Sequence, residues 1–228
     1  MTTDNKGKKN GTGDKKSLTP QRTVARLALY RRMLLHSKEE GKKTIYSHEL
    51  GEILGINPPQ VRRDLMEVGF EGHPRRGYEI DGLLTRLDVY FGMDQGLRMV
   101  LVGVGNLGRA LLNYFVGKQA HIAIEAAFDK DPAKVGRAIG GCHCYSLEQL
   151  PALVASQGIH VGIIAVPAAE AQKAADLLVK AGVRGLVNLA PAWLRVPPSV
   201  FVEDIDITLS IEKVGYFAKM FSQPREAK

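Results

Sequence analysis

Residues 99 to 108, MVLVGVGNLG, set an uninterrupted apolar run directly before glycines at 103, 105 and 108. A short run without polar alternation is a strand covered on both faces, which places it in a parallel α/β sheet. Gly103 permits the tight turn after the strand, Gly105 lets the backbone approach a pyrophosphate, and Gly108 lets the next helix pack on the strand. Val104, Asn106 and Leu107 complete this candidate cofactor-binding turn, whose N–H groups at the helix start would meet phosphate charge.

The residues after it repeat the pattern. HIAIEAAFD is a second apolar run ending in Asp129, about 20 residues beyond the turn, where a carboxylate would take the ribose hydroxyls of NAD(H) and repel the 2′-phosphate of NADP(H). Lys130 follows and offsets part of that charge. Ser146 to Gln149 forms a capping box for helix LEQLPALVAS, HVGIIAVPA is a further buried strand, AEAQKAADLLVKAG is an amphipathic helix stopped by Gly182, and RGLVNLAP is another strand. In an open α/β sheet, ligands sit beyond the carboxyl ends of the strands. Val166, Pro167 and Asn188 are therefore expected near the nicotinamide end.

Almost a hundred residues precede this half. Residues 1 to 18 are polar and lysine-containing, with too little apolar surface to offset their ordering entropy, and read as a disordered basic tail. Thr19-Pro20 looks like a helix start, and Val24, Leu27, Tyr30, Leu34 and Leu35 recur at helical spacing. Ser47 is placed to cap a second helix ending at Gly55. Asn57, Pro58 and Gln60 have the arrangement of a capping box for a third, with Val61, Leu65 and Val68 on one face. Helix, helix, tight turn and a helix opening with Pro59, Gln60, Arg62 and Arg63 is a helix-turn-helix order, with side chains matched to base edges and phosphates. GFEGHPRRGYEI suits a β-hairpin wing with Arg75 and Arg76 at its tip. Most of the net charge of +7 lies before residue 99, which favours a polyanionic partner. A linking helix over 80–98 would place the domain boundary near residue 95.

The chemistry of an enzyme is missing. The six histidines are scattered without partner acids, no tyrosine–lysine pair has a reductase spacing, and little chain remains after the sheet for a substrate domain. Cys142 and Cys144 would share one face of a strand as packing residues, and no metal site or catalytic residue is expected. No apolar run reaches the length of a membrane span, and the N-terminus lacks the apolar region of a secretory signal, so the cytoplasm is expected. Ile207, Ile211, Val214, Phe217 and Phe221 trace an apolar helical stripe beyond the sheet, fitted to a partner subunit. Two alternatives stay open: a small NAD-dependent reductase with an accessory N-terminal domain, and a coenzyme A-binding module.

The stretches SHELGEILGI, QVRRDL, GVGNLGRALLNY, FDKDPAKVGRAIGG, AAEAQKAADLLVKAGVRGLVNLAP and VEDIDITLSIEKVGYF, in that order, resemble the Rex family of redox-sensing transcriptional repressors from about Thr19 to Phe221. The resemblance implies a winged helix-turn-helix domain (19–95), a Rossmann domain (96–205) and a swapped C-terminal dimerisation helix (206–228). It implies a homodimer on inverted-repeat operator DNA, released when NADH replaces NAD+. It also implies Tyr114 beside the nicotinamide, Asp206 reaching into the partner's site, and a recognition helix over 60–65; Ser47 and Tyr78 are further candidates for the DNA-facing surface. The match departs from the family pattern just after that helix, at Met66 to Gly69 and at Arg76 to Tyr78.

Overall fold

The computed structural model describes residues 19–73, 75–115 and 122–222. The tail expected over 1–18 lies outside the described residues. The chain divides into two compact units between Phe91 and Gly92, a few residues ahead of the expected boundary, because the linking helix stops at Tyr90 and Gly92 turns left-handed (φ 67°).

The first unit runs α1 (Gln21–Glu39), β1 (Thr44–Ile45), α2 (Ser47–Leu54), α3 (Pro58–Glu67), β2 (Tyr78–Glu79) and α4 (Ile80–Tyr90). Leu27, Tyr30 and Leu34 of α1, Val61 and Leu65 of α3, and Leu83 and Leu87 of α4 make its core. Helical spacing predicts the faces of α1 and α3, and the helices bury most of them, but Leu35 is exposed. Two expected caps fall elsewhere. Pro20 precedes α1, while the Thr19 hydroxyl accepts a bond from Tyr90 at 2.8 Å. Tyr46 precedes α2, its N–H donating to Glu49 at 2.7 Å, so Ser47 is the first helical residue. Asn57 caps α3 as expected, accepting the Gln60 N–H at 2.9 Å.

The wing also differs from a self-contained hairpin. β2 pairs antiparallel with β1, which lies upstream of α2, and His73 and Gly77 exchange reciprocal backbone bonds of 3.0 and 2.9 Å. Alternation along β2 turns Glu79 outward to cap α4 and Tyr78 inward. Tyr78 is 6% exposed and belongs to the core, which corrects its expected place on the DNA-facing surface.

A charge sits inside this core. Asp64 Oδ2 accepts Arg26 Nε at 2.6 Å and the Tyr30 hydroxyl at 2.8 Å, and its Oδ1 accepts Arg26 Nη2 and Gln60 Nε2, both at 2.8 Å. An ionised carboxyl offers about four acceptor positions, and all are taken. Burial opposes its ionisation, but bonds from Arg26, Gln60 and Tyr30 outweigh that and hold the group below the usual carboxylate range. Sequence reading missed Asp64, since an acid on an amphipathic helix looks like any solvated one.

The second unit contains β3 (Leu97–Val102), α5 (Asn106–Phe115), β4 (Ile122–Phe128), β5 (Ala138–Ile139), β6 (Cys142–Tyr145), α6 (Leu150–Gln157), β7 (Val161–Ile164), α7 (Ala168–Lys180), β8 (Gly185–Asn188), β9 (Phe201–Asp204) and α8 (Ile207–Ser222). Its sheet has the order β5-β6-β4-β3-β7-β8-β9, parallel except for the β5–β6 pair. β3 pairs with β4 on one side and β7 on the other, so the strand order reverses there. That reversal opens a crevice at the strands' carboxyl ends. β9 extends the sheet where sequence reading had ended it; Phe201 is half exposed and gives the strand little apolar signal. Cys142 and Cys144 are buried on one face of β6, and burial pushes the Cys142 thiol up to about 11, which makes it inert packing. α8 has no buried residue.

Arg26→Met leaves Asp64 charged and short of two bonds, and is expected to lower the first unit's unfolding free energy by about 3 kcal/mol in urea denaturation. Because the folded-state pKa of Asp64 is depressed, its contribution is complete above the unfolded carboxylate pKa of roughly 4. It fades as pH falls through the folded value. Wild type should therefore lose more stability in acid than Asp64→Asn does.

Candidate functional site

The glycine turn between β3 and α5 is built by contact. Gly103 has φ 99°, and a methyl group there would strike the Ala165 carbonyl. A methyl on Gly108 would strike the carbonyl of Gly103, so helix and strand meet at van der Waals distance only without side chains. Gly105 is different: a Cβ there meets nothing within 4 Å. Space is kept open on that side, as a closely approaching diphosphate requires. Val104 is buried, whereas Asn106 and Leu107 are exposed at the start of α5.

Beside the turn lies a cavity of about 270 Å³ lined by apolar Val102, Phe128, Ala165, Val166, Pro167 and Leu177, together with Asp129, Lys130 and Lys134. Asp129 is 8% exposed. Its Oδ2 accepts the Val104 N–H at 2.8 Å and Lys134 Nζ at 2.9 Å, and its Oδ1 accepts the Asp131 N–H at 3.0 Å. Burial works against the charge, yet Lys134 and the two backbone donors hold the carboxyl below its ordinary range. Three of about four acceptor positions are filled among the described residues, and the fourth lies on Oδ1. Lys130 pairs with Glu170 at 3.0 Å. Lys134 had no motif to reveal it.

A second cavity of about 380 Å³ holds Asn188, Trp193, Asp204, Asp206 and Lys213. Asn188 was expected at the ligand, but it is 1% exposed. Its Nδ2 donates to the Ala192 carbonyl at 2.8 Å and to Asp204 at 2.7 Å, and its Oδ1 accepts the Ala190 N–H at 3.1 Å. Both donors are spent on shaping the 188–192 loop, so Asn188 is a scaffold residue. Asp206 accepts the Leu209 N–H at 3.0 Å and caps α8. Tyr114 is half exposed on α5, edge-on to Phe115 with ring centres 5.1 Å apart, and lines neither cavity. The turn, Asp129, Val166 and Pro167 thus come together, while Asn188 and Asp206 lie at the other cavity.

In the first unit, Pro59, Arg62, Arg63, Arg75 and Arg76 are exposed. The Ser47 hydroxyl accepts Arg62 Nη1 at 3.1 Å, tying the start of α2 to α3. The Tyr46 hydroxyl donates to the Arg75 carbonyl at 3.2 Å, which holds the 73–77 turn beside them. Gln60, expected to point outward, is half buried with its amide turned onto Asp64.

Residues 94–192 match the family model described as a CoA binding domain, and residues 19–65 match that of a putative DNA-binding protein N-terminus. Among curated relatives, the redox-sensing transcriptional repressor Rex of Halalkalibacterium halodurans is 40% identical over 89% of this chain and 95% of its own. That of Listeria welshimeri is 38% identical over 91% and 96%. The chain belongs to the Rex family of redox-sensing transcriptional repressors. The solved Rex-family repressor RSP has the same architecture, with a TM-score of 0.78 and 30% identity over 90% of this chain and 96% of RSP. RSP in complex with β-NAD+ and operator DNA aligns with a TM-score of 0.81 and 30% identity over 90% and 94%. The Rex relatives are named as repressors and not as enzymes, which removes the reductase alternative. No helix among the described residues is long and apolar enough to cross a membrane.

Gly108→Ala, a small change on paper, is expected to unseat α5 from β3 and lower the second unit's melting temperature by several degrees in scanning calorimetry.

Proposed function

We propose that the second unit binds NAD(H) in the crevice beside β3 and that the first reads an inverted-repeat operator through α3 and the 73–77 turn. Two chains act together as a cytoplasmic homodimer that occupies the operator at low NADH and leaves it when NADH binds. The observation that carries this reading is the open side of Gly105 beside an apolar cavity that also contains the Asp129 carboxylate. RSP in complex with β-NADH, 29% identical over 90% of this chain, supports the same ligand class.

The residues present fit such a cofactor. The start of α5 offers backbone N–H groups to a diphosphate, and the last acceptor position of Asp129 suits one ribose hydroxyl. The oxidised nicotinamide carries a positive charge that the reduced ring lacks. Val166 and Pro167 offer the ring apolar contact, and the carboxylates of the same cavity are already paired with Lys130 and Lys134, which favours the neutral form. Moving the dimer almost completely between its two states takes about 5.5 kcal/mol of differential binding.

Dimerisation is supported by α8. Ile207, Ile211, Val214, Phe217 and Phe221 are 55–85% exposed along one helix, a larger apolar surface than a single chain leaves in water.

Gly105→Val tests the cofactor site without disturbing the fold, because its side chain enters open space. Calorimetry should show NADH affinity reduced at least about tenfold with the melting temperature unchanged, and operator release by NADH should fail in a gel shift. Wild-type affinity in this variant would place the nucleotide elsewhere. Tighter binding of coenzyme A than of NADH by wild type would overturn the ligand class. Phe217→Asp should convert a dimer into a monomer in analytical ultracentrifugation and abolish operator binding.

A further inference from the structure

Of the side chains that the buried Asp64 orients, Gln60 lies at the start of α3. Gln60 stands in the first turn of α3, the part of a recognition helix that reaches base edges, and its Nε2 donates to Asp64 Oδ1 at 2.8 Å. A carboxylate accepts and does not donate. Turning the amide over would set Oε1 against a negative charge that is only 2% exposed. Asp64 has no freedom to swing away, because Arg26 grips both its oxygens and the Tyr30 hydroxyl adds a further bond. The amide is therefore held one way up.

One N–H of Gln60 is spent on Asp64, which leaves the second N–H and Oε1 for a partner outside the bundle. That pair, a donor beside an acceptor in one plane, matches N7 and the N6 amino group of adenine in the major groove. The neighbouring Arg62 and Arg63 are exposed, and Arg62 donates to the Ser47 hydroxyl. Neither is oriented by a buried ion.

We propose that Gln60 is a pre-oriented reader of one adenine in each operator half-site and that Asp64 is its positioning residue. The inference rests on the operator reading above. It adds a base to that reading and gives the charged cluster in the core a role in specificity. A side chain already held in its reading geometry loses less freedom on binding, and the wrong base leaves its donor and acceptor unpaired.

The test uses the full chain and an inverted-repeat duplex that it selects from a random pool. Each adenine of the half-site is replaced in turn, in both halves, by 7-deazaadenine, which keeps the base pair and removes N7. Wild type should lose about tenfold in affinity at one adenine and little at the others. Gln60→Ala should make that position neutral. Asp64→Asn, which keeps the size and lets the amide turn over, should flatten the same position and leave the remaining profile in place. Should Asp64→Asn fail to fold, the double variant Arg26→Met/Asp64→Leu removes the ion pair and the orienting charge together and should flatten the same position. A wild-type profile without a sensitive adenine overturns the role of Gln60 while operator binding stands. A profile of Asp64→Asn, or of the double variant, identical to wild type overturns the positioning role. A wild-type chain that selects no inverted repeat overturns the operator reading itself.

Discussion

The 2.8 Å bond from the Val104 N–H to Asp129 ties the glycine turn to the end of the neighbouring strand, and the cofactor site depends on it. β3 and β4 pair in parallel up to Val102 and Phe128, so the turn and the acid leave the sheet side by side. Their bond closes the gap between the two loops. With the turn fixed there, Gly103 can press on Ala165 and Gly108 can press on Gly103, which seats the start of α5 beside the strand at which the order reverses. Lys134 balances the charge that this buried acid brings.

The first unit uses a buried carboxylate too, to a different end. Asp64 is saturated by Arg26, Tyr30 and Gln60 and has no acceptor position left, so it acts as scaffold, locking the rotation of α3 against α1. Asp129 has three partners and keeps one position for a ligand. Both groups are held below the ordinary carboxylate range against the cost of burial. A count of lone pairs separates the saturated acid from the one with a position to spare.

Much of this was legible in sequence because it rests on local rules. Strand, glycines and helix at 99–115 follow from apolar run length and from the sterics of a turn that admits no side chain. The faces of α1 and α3 follow from helical spacing, and Asn57 from capping chemistry. What was not legible depends on partners far along the chain. Asp64 meets Arg26 across 38 residues, Tyr78 turns inward because β2 pairs with a strand upstream of α2, and Asn188 is spent on Asp204 of a strand with too weak a pattern to predict. Such long-range pairings leave no period in the sequence.

The central claim is that cofactor oxidation state, and not cofactor amount, sets DNA occupancy. It is tested most directly by fluorescence anisotropy of a labelled operator duplex at fixed protein and fixed total NADH plus NAD+, with only the ratio varied. The account predicts that occupancy falls as the NADH fraction rises and returns when the ratio is reversed. Occupancy that stays constant across the whole range of ratios would contradict it.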